Sequence, residues 1–222
     1  MFRGRKMKYI FSLFITMALL LCSMSAKAQL GADQINANGQ YVLAAKAGNV
    51  ARVTQLLAQG AAVNSRDRLG NSPLNMAATK GNLPLVEVLL GAGADPNIAN
   101  ISEVTPLMGA CFAANAEIIK KLLAAGANVN AVDRVKKTAA TYVAANGCIP
   151  CMAALFAAGV SANVVLDNDL TLLMWAAGSG QAQMVRYLLD HGADKNKKDN
   201  RGLTALAIAK DTKNTEVVAT LE

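Results

Sequence analysis

Aromatic residues and histidine are what this chain has least of. Phe, Tyr and Trp together make up 5 % of its 222 residues, Trp175 is the sole tryptophan and His191 the sole histidine. Few aromatics beside abundant Ala and Leu suit thin, closely packed helices rather than a thick globular core. With one imidazole, no Cys–His or Ser–His–Asp set that needs a second histidine can be assembled. The cysteines lack zinc-site spacing as well. Carboxylates are absent from the first 27 positions, where five of the 22 basic residues lie: Arg3, Arg5, Lys6, Lys8 and Lys27. Beyond them stand 17 basic and 15 acidic residues, so the net charge of +7 falls to +2 without the leader. Nucleic-acid binding loses its main support with it.

The leader has the three parts of a secretory signal peptide. Arg3 to Lys8 is basic, Ile10 to Cys22 is apolar apart from Ser12 and Thr16, and Ala26-Lys27-Ala28 offers small residues before Gln29. Cleavage is expected after Ala28, which predicts a periplasmic or secreted product with no stable membrane insertion. The apolar run is short for a membrane span. Met7-Lys8-Tyr9 fits a translation start as well as Met1 does. The expected organisation is a signal peptide at 1–28, a short lead at 29–35 and one domain at 36–222.

That domain repeats itself. Gly60, Gly93, Gly126, Gly159 and Gly192 are 33 residues apart, as are Asn64, Asn97, Asn130, Asn163 and Asn196. Ser72, Thr105, Thr138, Thr171 and Thr204 keep the same step. So do the pairs Leu56-Leu57, Leu89-Leu90, Leu122-Leu123, Leu155-Phe156 and Leu188-Leu189. Independent series in one register, without insertion or deletion, mark a repeat architecture. Ser72 and Thr105 can cap a helix, with Pro73 and Pro106 at its first position. Leu74, Ala77 and Ala78 give that helix an apolar face, and Gly81-Asn82 ends it and caps the next. Val86, Leu89 and Leu90 form the stripe of a second helix, which Gly93 closes. One such unit cannot bury its own apolar face, so the units must stack.

The segments Ser72-Pro73-Leu74-Asn75-Met76-Ala77-Ala78, Thr105-Pro106-Leu107-Met108-Gly109-Ala110-Cys111 and Thr171-Leu172-Leu173-Met174-Trp175-Ala176-Ala177 resemble the ankyrin repeat, as do Gly93-Ala94-Asp95-Pro96-Asn97 and Gly192-Ala193-Asp194-Lys195-Asn196. The resemblance covers residues 36 to 222. It implies an all-α solenoid of about six helix-turn-helix units with projecting turns, at about 36–67, 68–100, 101–133, 134–166, 167–199 and 200–222. The chain departs from the family where Asn75, Met108, Thr141 and Met174 replace its usual histidine, whose bonds between neighbouring turns must be lost or replaced. Thr138-Ala139-Ala140 also lacks the Pro-Leu pair.

In this family the first helices line a groove that the turns extend like fingers. The groove-facing slot holds Leu43, Met76, Gly109, Tyr142, Trp175 and Ile208, and Phe112 lies one helical turn from Gly109. The resemblance therefore implies protein binding along Met76, Phe112, Tyr142 and Trp175. Trp and Tyr are the residues that dominate binding hot spots. The alternative is that these side chains pack on adjacent helices. The fingers carry Arg66, Arg68, Arg134, Lys136 and Lys137, then acidic Asp167 and Asp169, then Lys195, Lys197, Lys198 and Arg201. They are either a solvated surface or a guide for an acidic protein partner.

Cys148-Ile149-Pro150-Cys151 has the form of a redox Cys-x-x-C motif, but the register explains each residue. Cys151 takes the apolar slot of Leu85, Ile118 and Met184; Pro150 matches Pro84; Cys148 replaces the capping Asn82 or Asn115. A local Cys148–Cys151 disulfide stays open, since an oxidising compartment permits one. Cys111, in the slot of Ala78, reads as a small buried hydrophobe. No catalytic residue, metal or cofactor is expected. Exported bacterial ankyrin proteins similar to this one are associated with accessory roles toward other exported proteins. A monomeric periplasmic scaffold is therefore the first reading, and an immunity protein that neutralises a toxic hydrolase is the alternative.

Overall fold

Most of the described helices start where a short polar side chain takes up a free backbone N–H. The computed structural model describes residues 36–222. The expected signal peptide and lead lie outside the described residues. A first helix, α1, covers 36–47, followed by α2 (Val50–Ala58), α3 (Pro73–Thr79), α4 (Leu83–Gly91), α5 (Pro106–Phe112) and α6 (Ala116–Ala124). Then come α7 (Ala139–Asn146), α8 (Ile149–Ala157), α9 (Leu172–Gly178), α10 (Ala182–Asp190), α11 (Ala205–Asp211) and α12 (Thr215–Leu221). The hydroxyls of Ser72, Thr105, Thr138, Thr171 and Thr204 accept from the amides of Asn75, Met108, Thr141, Met174 and Ala207. Asn49, Asn82 and Asn115 cap α2, α4 and α6 in the same way. Such a cap is worth about 1 kcal/mol.

The odd-numbered helices stack on one another as one layer and the even-numbered helices as a second, each odd helix packing on the even helix that follows it. The first layer is nearly all interior: Leu74, Ala77 and Ala78 of α3 and Leu172, Leu173, Ala176 and Ala177 of α9 are buried. The second layer buries one face only, through residues such as Leu85, Val86 and Leu89 of α4. A fully buried leucine contributes about 1.5–3 kcal/mol. The core therefore runs as a continuous strip between the layers, and no repeat holds it alone.

Helix α5 packs closely on α3. A Cβ built on Gly109 would lie 2.4 Å from Thr79 Oγ1 and 3.3 Å from Thr79 N. Glycine is what lets α5 sit down on the end of α3 here.

Candidate binding groove

The fingers are built by a carboxylate or amide that recurs at one position. Asp67 Oδ1 accepts from the amides of Leu69 and Asn71 at 2.9 and 2.8 Å. Asn100 does the same for Ser102 and Val104, Asp133 for Val135 and Lys137, and Asp199 for Arg201 and Leu203. This series is what the sequence reading missed, although its step of 33 is there to be read at 67, 100, 133 and 199. Burial pushes the Asp67 and Asp199 carboxyls up. Their hydrogen bonds outweigh it and hold both below the usual carboxylate range, helped by the charge of Lys46 for Asp67 and of Arg201 for Asp199. The missing family histidine is replaced once, by Asn75, whose Nδ2 donates to Val104 O at 2.7 Å.

Leu166 occupies the same position in the fourth described finger and cannot serve. That finger turns instead through Asn168 and Asp169 at φ 60° and 58°. Elsewhere the fingers are tied together: Ile101 N donates to Leu69 O, Arg134 N to Ser102 O and Asn200 N to Asn168 O, each at 3.0 Å. Among the described residues no such bond joins Asp167 N to Val135 O. A second tie is missing at the same place. Asn97 and Asn163 accept from the amides of Asn128 and Asp194, but among the described residues Asn130 has no equivalent bond. A cavity of about 340 Å³ opens there, lined by Asn130, Val132, Lys136, Thr138, Val164 and Asp167 among others.

The aromatic residues gather beside this joint. Phe112 and Tyr142 meet edge to face with centroids 6.4 Å apart. Tyr142 donates its hydroxyl to Asp133 Oδ2 at 2.6 Å. Burial, then this bond and the charge of Asp133, raise the Tyr142 hydroxyl well above its ordinary value. Lys137 Nζ lies 5.7 Å from the Tyr142 ring centre and 5.1 Å from that of Trp175. Each cation–π contact is worth about 0.5–2 kcal/mol, the higher end where water is excluded. On the far side of Trp175 a cavity of about 280 Å³ is lined by Leu170, Met174, Trp175, Gly178, Ser179, Arg201 and Ile208.

Three of the four expected groove residues thus form one patch, joined by Lys137. Phe112 is 67 % exposed, and Tyr142 and Trp175 are half-buried. Met76 is a correction: only 8 % exposed, it belongs to the core. Leu43, farther along the same row, is 66 % exposed. Of the finger residues, Arg66, Arg68, Arg134 and Lys136 are all exposed, and Arg134 also sends its guanidinium to Ile101 O on the neighbouring finger. The expected basic guide is therefore partly a structural strut at Arg134.

Away from the groove, Cys148 caps α8, its Sγ accepting from Cys151 N at 3.3 Å. The structure joins the two cysteines in a local disulfide with the Cα atoms 5.3 Å apart. Cys111 is buried and its thiol is raised by burial. Phe156, Tyr187 and His191 stack on the second layer, with His191 Nδ1 2.8 Å from Tyr187 O. A hollow of about 680 Å³ lies between α6 and α8 and is lined by Lys120, Leu123, Pro150 and alanines. It follows from small side chains on the outer layer and brings no aromatic group together. Among the described residues no cluster of three His, Cys, Asp or Glu could hold a metal, and no helix is long and apolar enough to cross a membrane.

Among curated proteins none matches this chain. The crystal structure of EF0377, an ankyrin repeat protein, superposes with a TM-score of 0.75 at 27 % identity, covering 83 % of this chain and 96 % of that one. The family profile described as ankyrin repeats (3 copies) matches residues 41–133 and again 138–221. Repeats of this kind mediate protein–protein interaction and are generally non-catalytic scaffolds. With two stacked helical layers, fingers tied in register and that profile running through nearly all the described residues, the chain belongs to the ankyrin-repeat family.

Proposed function

We propose that this chain is exported and, once its leader is cut after Ala28, works in the periplasm as a monomeric, non-catalytic scaffold or accessory factor that holds another protein in its groove. The observation that carries this reading is the patch formed by Phe112, Tyr142, Lys137 and Trp175. Its outermost ring, Phe112, stands 67 % exposed where an aromatic residue gains nothing from the core. An exposed aromatic ring beside two half-buried ones is a usual anchor of a protein interface. The oxidised Cys148–Cys151 pair and the three-part leader fit an oxidising compartment.

The test is site-specific photo-crosslinking in the producing cell. A benzoylphenylalanine replaces Phe112 in the groove or, as a control, Lys120 on the outer helices. The expected outcome is a discrete protein adduct in the periplasmic fraction from position 112 and none from 120, on a product whose first residue is Gln29. Equal adducts from both positions, or none from 112, would sink the groove assignment. A product that keeps residues 1–28 in the cytoplasm would sink the export assignment.

A further inference from the structure

Lys137 is half-buried, and among the described residues no carboxylate lies within 4.0 Å of its ammonium. It makes no side-chain hydrogen bond there either; two ring faces, Tyr142 and Trp175, are its only described partners. A cation withdrawn from water is costly unless a counter-ion meets it. Rings offer it no acceptor, so its three N–H donors stay free on the groove side. The nearby anions are engaged or out of reach. Asp133 is filled by the amides of Val135 and Lys137 and by the Tyr142 hydroxyl. Asp199 is filled by the amides of Arg201 and Leu203 and by the Arg201 guanidinium. Asp167 and Asp169 stand on the next finger and, among the described residues, pair with no lysine or arginine. Beyond Trp175 the cavity between α9 and α11 has an apolar floor of Leu170, Met174 and Ile208, and its wall carries Arg201, whose side chain is 63 % exposed.

We infer that the occupant of the groove is an acidic segment of a partner protein, which lays a carboxylate on the Lys137 ammonium and seats an apolar side chain against Trp175 in the cavity between α9 and α11. The site offers one unmet cation, Lys137, beside an apolar well, the cavity, whose Arg201 already meets Asp199. A strand with an acidic residue next to an apolar one complements it. A nucleic acid fits less well. Lys137 lies over the Trp175 ring, where a base would otherwise stack, and the chain beyond its leader is nearly neutral, with 17 basic against 15 acidic residues.

This inference rests on the reading of the groove as the protein-binding face, and its test is separable from that reading. Trp175 is the sole tryptophan, so its emission reports on this site alone. Three probes are titrated into the protein: a 12-residue peptide alternating Asp or Glu with Leu, the same peptide with Asn and Gln for its acids, and the oligonucleotide (dT)12. The acidic peptide is expected to shift Trp175 emission saturably and to bind roughly tenfold or more tighter than its amide counterpart. In Lys137→Met that preference should vanish while the melting temperature holds. Should Lys137→Met lose stability, Lys137→Gln, which keeps an amide against the rings, makes the same comparison. Equal binding of the acidic and amide peptides, a preference that survives without Lys137, equal binding of (dT)12, or no response to any probe would each overturn the acidic occupant. If a crosslinked protein adduct still forms from position 112, only the chemistry of the occupant falls and the protein-binding reading stands.

Discussion

Cys148 shows how a single residue can keep one half of a position's task and drop the other. In the equivalent place Asn82 works in two directions: its Oδ1 accepts from Leu85 N at 3.1 Å, and its Nδ2 donates to Gly48 O of the preceding repeat at 3.3 Å. Gln181 and Asn214 keep the second bond, to Ala145 O at 3.1 Å and Ala177 O at 3.0 Å. Cys148 keeps the first, through its sulfur, but a disulfide sulfur has no proton for Ala114 O, 3.7 Å away. Ala114 itself holds φ 52° where Gly48, Gly81, Gly147 and Gly180 stand in other repeats, so this junction is under-provided twice. In reductant the thiol regains a proton but is only a weak donor, so Cys148→Asn is expected to stabilise the protein by about 0.5–1.5 kcal/mol relative to the reduced wild type. Urea unfolding of both forms in reductant is the measurement. A lower midpoint for the variant would show that the sulfur's packing matters more than the stronger donor. The comparison must be made in reductant, because a disulfide closing so short a loop adds its own small term.

Helices and fingers differed in how readily the sequence disclosed them. The helices were legible because each has a cap, a stripe and a stop that repeat at a fixed step: Thr105, Leu107 and Ala110 in α5 predict what Thr171, Leu173 and Ala176 do in α9. The fingers were not, because Asp67, Asn100, Asp133 and Asp199 look like ordinary loop polar residues until their bonds to two amides are seen. Leu166 breaks the series in the one finger that follows another rule. The buried state of Met76 was hidden for a different reason. Met76 and Trp175 share one slot of the repeat, and only the packing of their neighbours makes the first buried and the second half-buried. The close pairing of α5 with α3 at Gly109 makes its own prediction. In Gly109→Ala the new methyl would lie 2.4 Å from Thr79 Oγ1, so α5 must lift or Thr79 must turn. The expected cost is about 1–3 kcal/mol. Thr79→Ala in the same chain should recover part of it, since the hydroxyl is the nearest atom and the Thr79 backbone, at 3.3 Å, the next. Denaturant midpoints of the two single variants and the double variant decide this. Additive losses, with no recovery in the double variant, would mean that the two helices do not meet as described.

A solenoid has no central core to absorb a local failure, so its stability is a sum along its length and its ends are felt by the whole. The two carboxylates held below the usual range, Asp67 and Asp199, organise the first and the last of the described fingers, near opposite ends of the stack. Each is more acidic in the folded chain than the ordinary 3.8 of an unfolded aspartate. Above that value both are ionised in either state, and their full contribution to stability is present. As pH falls past it, the unfolded chain takes up protons before the folded one does. Stability then declines and is lost once pH passes below the folded value. The melting temperature should therefore be nearly flat from pH 7 to about pH 5 and fall steeply below pH 4. Asp199→Asn keeps one acceptor for the amides of Arg201 and Leu203 but removes the charge that Arg201 meets. It should melt lower than wild type at pH 7 and lose less on acidification, so that the two curves converge as pH falls below the folded value of Asp199. Parallel curves would assign the acid limb to other carboxylates. The shift of Asp199 is also the reason to expect convergence from the end of the stack inward: once the last finger lets go, α11 and α12 lose the turn that seats them on α9 and α10, and the exposed faces of those two helices become the next end to fray.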